Sequence, residues 1–503
     1  MKKFERIVFG TAISLAVFLT TLWALQATPF AIGIDGYYYA AQIRSYLEKG
    51  RFFASDSSWV LYAMAYFSRL GPDIVVMNKI FVALCSVAFF WSASALLRVF
   101  ASRAIADGFA ALLLASSYLQ FCRTNFIKNY VGLLFLTLLL RQILLPLHNE
   151  GQIILQRRWL LLTAIFFLGS AVSHTQTAFI ATLSLLVFLF FFLRGRTTMG
   201  HKRRLWMIAA MLISFVLLVL LYKNRARFGA VQWRDLFVFT SIFPLQLFEM
   251  NAGNLRLGGE AAALMAVNLI FLGRYLMRAL RQKTAAAKDT LVALLIIVTA
   301  NPFYAAAEAQ WGFRLHLISI LPTTLALILL LPQSITSLYR RGAVFAIYAL
   351  SAVFIAVSYF QLLHNMQTNR IDYAEVQAAV QRLSLPERHL LIAHQGFDYF
   401  YCYHRKGDAF HFLAEDKHRG REIYRVLYGF PAVTLRGVAL STEPVKLTKN
   451  YTLIRENDFG KITSSLSPME KRLLLTFRNP TSERDLFLRQ RDAAQSDQLQ
   501  KLR

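Results

Sequence analysis

The chain contains 503 residues, of which 56% are hydrophobic, and its mean hydropathy is +0.44. This composition excludes an ordinary soluble protein and predicts an α-helical polytopic membrane protein. The formal net charge of +27 does not indicate nucleic acid as a partner, because basic residues in the short loops of a membrane protein usually mark its cytoplasmic side.

The first part of the chain contains repeated apolar runs, each close in length to the roughly 20 residues that a helix needs to cross a bilayer. The run from Ile7 to Leu25 is longer than the apolar core of a signal peptide, so we expect an uncleaved first helix. About eleven transmembrane helices are predicted in all. They lie near residues 6–26, 78–99, 104–122, 127–147, 158–174, 176–194, 205–222, 256–279, 289–305, 312–332 and 343–363.

Basic residues cluster in alternate loops between these helices, so all of them share one side of the membrane. We therefore expect a multi-pass protein of the cytoplasmic (inner) membrane, with its N-terminus in the cytoplasm and the opposite face extracytoplasmic. The clusters include Lys2, Lys3, Arg6, Arg98, Arg103, Arg141, Arg157, Arg158, Arg194, Arg196, Lys202, Arg203, Arg204, Arg278, Arg281, Lys283, Lys288, Arg340 and Arg341.

The first outer loop, about residues 27–77, is long for a protein whose other connections are mostly short, and long loops often carry function. It contains Asp35. Apolar residues recur at helical spacing after this acid, at Tyr39, Ile43 and Leu47, and predict an amphipathic helix at the membrane interface. Asp35 is then either an ordinary N-cap of that helix or a functional carboxylate at the membrane surface.

Other polar residues are predicted at the same outer level of the membrane, at the ends of later helices. Cations at such positions are costly and often functional, although they can also extend to lipid headgroups, and a histidine there can simply bond a neighbouring helix. The residues are Arg123, Asn125, Lys128, Asn129, His174, Gln176, Arg314 and His316.

An acid that faces several cations at the bilayer surface has a direct chemical use. Arg and Lys groups would bind a lipid-borne phosphate through charge-assisted hydrogen bonds, and the carboxylate would take a proton from an incoming hydroxyl or amine. If that phosphate carries a sugar, stabilising the leaving phosphate and orienting the acceptor would supply most of the catalysis.

Three short motifs now resemble the type C membrane glycosyltransferases (GT-C fold), a superfamily that includes protein O-mannosyltransferases, lipid A aminoarabinose transferases and oligosaccharyltransferase catalytic subunits. They are an early outer-loop acid followed by aromatics (Asp35 to Tyr39), an Arg-to-Asn stretch (Arg123 to Asn129), and Arg314 ahead of Pro322. The resemblance covers about residues 1–363, the expected transmembrane catalytic domain.

The resemblance implies that Asp35 is the catalytic base and that Arg314 binds the lipid phosphate. We expect Lys128, Arg123 and His316 to bind the donor phosphate as well. The residues expected to contact substrate are Tyr37, Tyr38, His174 and Asn129.

A bound metal or other cofactor is not expected, because Asp35 is followed by Gly36 rather than by a second acid, and a divalent cation needs several carboxylates. Glu48, Asp56 and Asp73 could complete such a site, but no spacing argues for it. The three cysteines have no paired spacing and indicate neither disulfides nor a thiolate metal site.

Residues 364–503 are more polar, with 22 Lys and Arg against 16 Asp and Glu. They predict an extracytoplasmic α/β domain on the same side as Asp35. We expect strands at 390–393, 400–403 and 451–454 and helices at 373–383 and 422–427. His394, Asp398, His404 and His411 lack a ligand motif, so structural roles are expected for them.

The sequence therefore favours an inverting glycosyltransferase of the cell envelope, a hexosyl- or pentosyltransferase. It would move a sugar from a polyprenyl-phosphate donor to a glycan, lipid or protein acceptor on the outer face. An undecaprenyl-diphosphate-dependent polysaccharide polymerase or ligase would use similar cations. A membrane transporter or a noncatalytic assembly subunit are the alternatives from other classes.

Overall fold

The structure is a computed structural model. It describes residues 3–33, 35–53, 56, 58–148, 157–195, 255–282, 286–300, 310–336, 341–386, 389–393, 396–405, 409–410, 422–428, 444–455, 457–458 and 461. The predicted span at 205–222 lies outside the described residues, as do His394 and His411.

Long apolar helices dominate the described residues, because a backbone in lipid must satisfy its own hydrogen bonds. The first nine are α1 (Lys3–Leu25), α2 (Gly36–Lys49), α3 (Trp59–Ser68), α4 (Ile74–Leu97), α5 (Arg103–Ala115), α6 (Ser117–Asn125), α7 (Ile127–His148), α8 (Arg157–Ser173) and α9 (Thr175–Gly195). The next are α10 (Leu255–Gln282), α11 (Ala287–Thr299), α12 (Gln310–Ile318), α13 (Ile320–Leu330), α14 (Gln333–Thr336) and α15 (Arg341–Arg382).

A helix is present at each predicted span that the structure describes, and the chain is a multi-pass membrane protein. Five of the described helices are long and apolar enough to cross a bilayer, or six if the bent pair α5 and α6 forms one span. Helices α2 and α3 lie in the first outer loop, where α2 matches the predicted amphipathic helix.

The span predicted at 104–122 is broken at Ser116, where α5 and α6 meet at 59°. The backbone groups that the break frees still need partners in an apolar interior. Glu260 of α10 supplies them: its carboxylate accepts from the Ser116 hydroxyl and, at 2.8 Å, from the Ser117 amide. Helices α12 and α13 are separated only by Ser319, within the span predicted at 312–332.

Helices α7 and α9 approach closely at Gly132, near their N-terminal ends. A Cβ atom placed on this glycine would lie 2.5 Å from the Thr177 hydroxyl oxygen, so a larger residue would push the helices apart. Small residues allow such close packing in membranes. Because one helix, α8, connects them, α7 and α9 run in the same direction, so the contact brings their first turns side by side.

Helix α15 is 42 residues long and continues past the predicted domain boundary at 363/364 without a break. Its last turns enter a hydrophobic cluster that also contains Phe30, Tyr37, Phe400 and Tyr451. The first outer loop, the end of α15 and the C-terminal region therefore share one core.

The C-terminal region contains a mixed five-stranded sheet and the helix α16 (Phe397–Arg405). Its strands are β1 (His389–Ile392), β2 (Ala409–Phe410), β3 (Glu422–Tyr428), β4 (Val445–Lys446) and β5 (Tyr451–Arg455), in the order β2-β1-β3-β5-β4. β1 pairs in parallel with β2 and β3, whereas β5 pairs antiparallel with β3 and β4.

Two predictions for this region were wrong. Residues 422–427 form strand β3 rather than a helix, because β1 and β5 pair with it on both sides. Residues 400–403 lie in helix α16 rather than a strand: the aromatic side chains favour strands locally, but Phe397, Phe400 and Tyr401 share one buried helix face. The strands at 390–393 and 451–454 were predicted correctly.

Candidate active site

A tight turn before α2 carries Asp35. Gly33 has φ +68°, a value that few residues other than glycine adopt. Two side chains of α15 hold this turn. The Tyr373 hydroxyl donates to the Gly33 carbonyl at 3.1 Å, and the Asn369 amide bonds the Ala31 carbonyl and the Gly33 amide at 3.2 Å each.

The same turn packs without a gap against the end of α6. A Cβ atom on Gly33 would lie 2.7 Å from Asn125 Oδ1 and still closer to the Thr124 carbonyl oxygen. A Cβ atom on Gly36 would lie 2.8 Å from the Ala31 carbonyl carbon. Only glycine fits at either position, so the position of Asp35 relative to α6 and α7 is set by backbone contacts.

Asp35 occupies the N-cap position of α2 and is 9% exposed. Its carbonyl accepts from the Tyr39 amide at 3.1 Å, but its carboxylate makes no capping hydrogen bond. The N-cap role considered for this side chain is therefore not observed.

Tyr39 connects the acid to the cations. Burial, and next the charge of Asp35, raise the pKa of the Tyr39 hydroxyl well above its usual value, and the charges of Arg314 and Asp56 act on it too. The Lys128 backbone amide donates to the same hydroxyl at 3.4 Å. The charges of Asp35, Asp56 and Arg314 therefore act on one buried phenol that the Lys128 backbone contacts, although these residues come from three distant parts of the chain.

Lys128 forms an ion pair with Asp56, and the Tyr38 hydroxyl donates to the same carboxylate oxygen. The Lys128 ammonium also lies 5.4 Å from the Tyr38 ring centroid. Burial alone would raise the pKa of Asp56, but the charge of Lys128 and hydrogen bonds from Lys128, Tyr38 and the Ser58 amide outweigh it and lower that pKa. In this structure Lys128 thus bonds a carboxylate.

Arg314 is held by His174 and Phe126. Its guanidinium donates to His174 Nε2 at 2.7 Å and lies 4.4 Å from the Phe126 ring centroid. An arginine has no acceptor atom, so this imidazole nitrogen accepts. The Arg314 Nε–H is buried and has no hydrogen-bond partner among the described residues, which leaves a donor available for an anion.

Asn129 and Gln176 are buried beside these cations, at 2% and 3% exposure. Neither amide atom of Asn129, nor the Gln176 Oε1 atom, has a hydrogen-bond partner within the described part of the chain. Most buried polar groups in proteins are paired, so these atoms require an explanation.

The structure does not bring two of the predicted residues to this group. Arg123 is fully buried and donates to Gln120 at 3.0 Å and Ser358 at 2.6 Å, which joins α6 to α15. His316 bonds the Tyr118 hydroxyl at 2.8 Å, on a different face of α12 from Arg314. Their assignment to the donor phosphate stays a prediction.

Helix α16 covers the N-terminal half of α2. The Tyr37 ring centroid lies 4.7 Å from that of Phe400 and 5.4 Å from that of His404, and the Tyr38 ring lies 5.1 Å from Tyr399. Burial is the largest cause that raises the pKa of Tyr399, and the charges of Asp35 and Asp56 contribute. The C-terminal region therefore borders the candidate site directly.

Sequence reasoning missed the roles of Tyr39, Asp56, Gln176 and Tyr399. Tyr39 was assigned only to the apolar face of α2, and Asp56 had no spacing that linked it to Lys128. A partial signal existed for Gln176, which was predicted at the same membrane level as His174.

The carboxylates considered for a metal site have other roles. Asp73 accepts from the Val75 amide at 2.7 Å and caps α4, and Glu48 pairs with Arg44 at 3.0 Å. Among the residues that the structure describes, no group of three or more His, Cys, Asp or Glu side chains could hold a metal ion. The metal requirement stays a prediction.

No protein-family model matches the chain, and no curated protein matches it in sequence. Solved structures do. ArnT from Cupriavidus metallidurans bound to undecaprenyl phosphate matches with a TM-score of 0.52 at 13% identity, covering 93% of this chain and 100% of that one. The apo state of the same protein matches with a TM-score of 0.53 at 14% identity, covering 92% of this chain and 99% of that one.

The chain has the GT-C fold. The resemblance stated from the sequence motifs is thus confirmed for the fold. The archaeal oligosaccharyltransferase AglB from Archaeoglobus fulgidus, in complex with an inhibitory peptide and a dolichol-phosphate, also matches, with a TM-score of 0.48 at 11% identity. That match covers 81% of this chain and 65% of the other.

Gly33→Ala tests whether the turn positions Asp35. We expect a loss of activity of about 10²-fold, since displacement of a catalytic group by about 1 Å can cost that much, and a lower melting temperature. Gly50→Ala is the matched control, because Gly50 also has φ +68° but no atom lies within 4 Å of a Cβ there. Equal effects of the two substitutions on activity would show that the contact with α6 is unimportant.

Proposed function

We propose that this protein is an inverting glycosyltransferase that moves a sugar from a polyprenyl-phosphate donor to an acceptor. The observation that carries the proposal is that Asp35 and Arg314 both act electrostatically on the Tyr39 hydroxyl, which the Lys128 backbone amide contacts. The fold supports it, because a structure of the same fold, ArnT, binds undecaprenyl phosphate.

In the proposed reaction, the donor phosphate binds between Arg314 and Lys128. The Nε–H of Arg314, which no described residue bonds, provides one donor, and Lys128 exchanges its bond to Asp56 for one to the phosphate. Charge-assisted hydrogen bonds of this kind are roughly twice as strong as neutral ones. The ring of Phe126 and the imidazole of His174 keep the guanidinium in place during this step.

Asp35 then acts as the general base. It takes the proton of the acceptor hydroxyl, whose oxygen attacks the anomeric carbon from the side opposite the phosphate, so the configuration inverts. The bond from that carbon to the phosphate oxygen breaks, and its electron pair leaves with the polyprenyl phosphate. The two cations stabilise the negative charge that grows on the phosphate.

We further propose that the face carrying Asp35 and the C-terminal sheet is extracytoplasmic, in the cytoplasmic membrane of the cell. The alternation of basic loops supports this orientation. A polyprenyl-linked donor suits that compartment, because the activated sugar is then carried by the membrane and no nucleotide is needed there. No step of the proposed reaction uses a metal ion.

Asp35→Asn should lower transfer by about 10² to 10⁴-fold, the range that general bases contribute, with little effect on stability because the amide has nearly the same size and shape as the carboxyl group. The measurement is transfer from native membrane lipids by purified protein. Asp73→Asn is the control, because this acid lies in the same loop but caps α4. Wild-type rates in Asp35→Asn would remove the residue from the mechanism.

Arg314→Ala should cost about 2 to 5 kcal/mol in donor binding or turnover, as for a desolvated charge contact. Arg314→Lys should restore only part of this, since lysine lacks the planar donor fork. Binding of undecaprenyl phosphate to purified protein measures the effect, with Arg274→Ala as a control at an exposed arginine of α10. Unchanged affinity in both Arg314 variants would refute the assignment.

We also propose that the C-terminal region selects the acceptor. The supporting contact is that of Tyr399 with Tyr38, beside Asp35. Remote binding energy supplied there would position the acceptor hydroxyl.

Tyr399→Phe should therefore raise the KM for acceptor by about 3- to 10-fold, the value of one hydrogen bond, while slow hydrolysis of the donor by water continues. Tyr424→Phe is the control, because that hydroxyl bonds Glu422 within the sheet. Equal loss of transfer and hydrolysis in well-folded Tyr399→Phe would contradict a role limited to the acceptor.

A further inference from the structure

The strongest unexplained feature of the candidate site is the pair of buried amides, Asn129 and Gln176. Leaving a buried polar group unpaired is costly, and removing such a group is often neutral or stabilising. Both amide atoms of Asn129 and the Oε1 atom of Gln176 are buried and have no hydrogen-bond partner among the described residues. The mechanism proposed above uses neither side chain.

The two amides lie at the same level of the membrane as the cations. Gly132 packs on Thr177, and Asn129 is three residues before Gly132, so both face α9. Gln176 directly precedes Thr177. Parallel helices in this register place Asn129 level with His174, which binds Arg314.

An independent observation supports this placement. Lys128, the neighbour of Asn129, acts electrostatically on His174, and its charge, after burial and the charge of Arg314, lowers the pKa of that imidazole at the junction of α8 and α9. The amides therefore lie beside the two cations assigned to the phosphate.

We propose that Asn129 and Gln176 bind the hydroxyl groups of the donor sugar; this inference rests on the proposed glycosyltransferase function. A carboxamide both donates and accepts, and a sugar hydroxyl does the same, so each unpaired atom gains a partner. A sugar joined to the phosphate is also the part of the donor that must lie next to Lys128 and Arg314.

The chemistry also selects a class of sugar. The amides are neutral and cannot compensate a charge, and the neighbouring groups on this side are cations. An ammonium group bound to the amides would be repelled by Lys128 and Arg314, and neither amide could supply a counter-charge. The site therefore selects neutral, hydroxyl-rich sugars over amino sugars.

The test compares binding of purified protein to defined lipids. The probes are bare undecaprenyl phosphate, the same lipid carrying glucose, mannose, galactose or arabinose, and a 4-amino-4-deoxy analogue of each. At least one neutral sugar should tighten binding about tenfold, the value of two hydrogen bonds, and its amino analogue should not. Asn129→Ala and Gln176→Ala should each remove most of this gain and leave the affinity for the bare lipid unchanged.

The outcomes separate this inference from the proposed function. If wild-type protein binds none of the lipids, the proposed function fails and the inference with it. If it binds the bare lipid and the variants keep the full gain from the sugar, only the inference fails. If the variants lose equal affinity for bare and sugar-bearing lipids, the amides contact the phosphate or support folding, and this result would overturn the inference as well.

Stability gives a second readout. Asn129→Leu should leave the melting temperature unchanged or raise it, because no described residue bonds this amide. Gln120→Leu is the matched control: Gln120 is equally buried but donates to Leu114 and Ser358 and accepts from Arg123, so its loss should lower the melting temperature. A comparable fall for Asn129→Leu would mean that the amide has a structural partner, and would overturn the inference.

Discussion

The close packing of the Gly33 turn against the end of α6 is the constraint on which the site depends. It requires a residue without a side chain, in a backbone conformation that favours glycine, at a point where two backbones meet. The turn belongs to the first outer loop and the partner belongs to the α6–α7 junction, so this contact joins the acid to the helix that carries Lys128. The hydrogen bonds from Asn369 and Tyr373 hold the turn from the opposite side.

The sequence predicts the fold class well because its signals are local and strong. Runs of leucine, phenylalanine and alanine that match a bilayer thickness identify membrane helices without knowledge of their neighbours. The break at Ser116 was not predicted, since it depends on a partner, Glu260, that lies far along the chain. Strand β3 was missed for the same reason: pairing with β1 and β5, rather than local propensity, decides its conformation.

The site was predicted only in part, and the physical reason is similar. Asp35, Lys128 and Arg314 could be named because charges at the ends of apolar helices are rare and conspicuous. Their organisation around Tyr39 could not be predicted, because it requires the three-dimensional arrangement of α2, α7 and α12. Lys128 is also paired with Asp56, so the charge pattern of the sequence did not reveal how this cation is held before a ligand arrives.

Helix α15 connects two contacts that lie far apart along its axis. At about 1.5 Å per residue, the 15 residues from Ser358 to Tyr373 span roughly 22 Å. Ser358 accepts a hydrogen bond from the buried Arg123, whereas Tyr373 holds the Asp35 turn and packs on α16. Because α15 is continuous, the contact of Ser358 with Arg123 and the contact of Tyr373 with the Asp35 turn belong to one rigid element. A tilt of the helix would therefore move the Asp35 turn and Arg123 together.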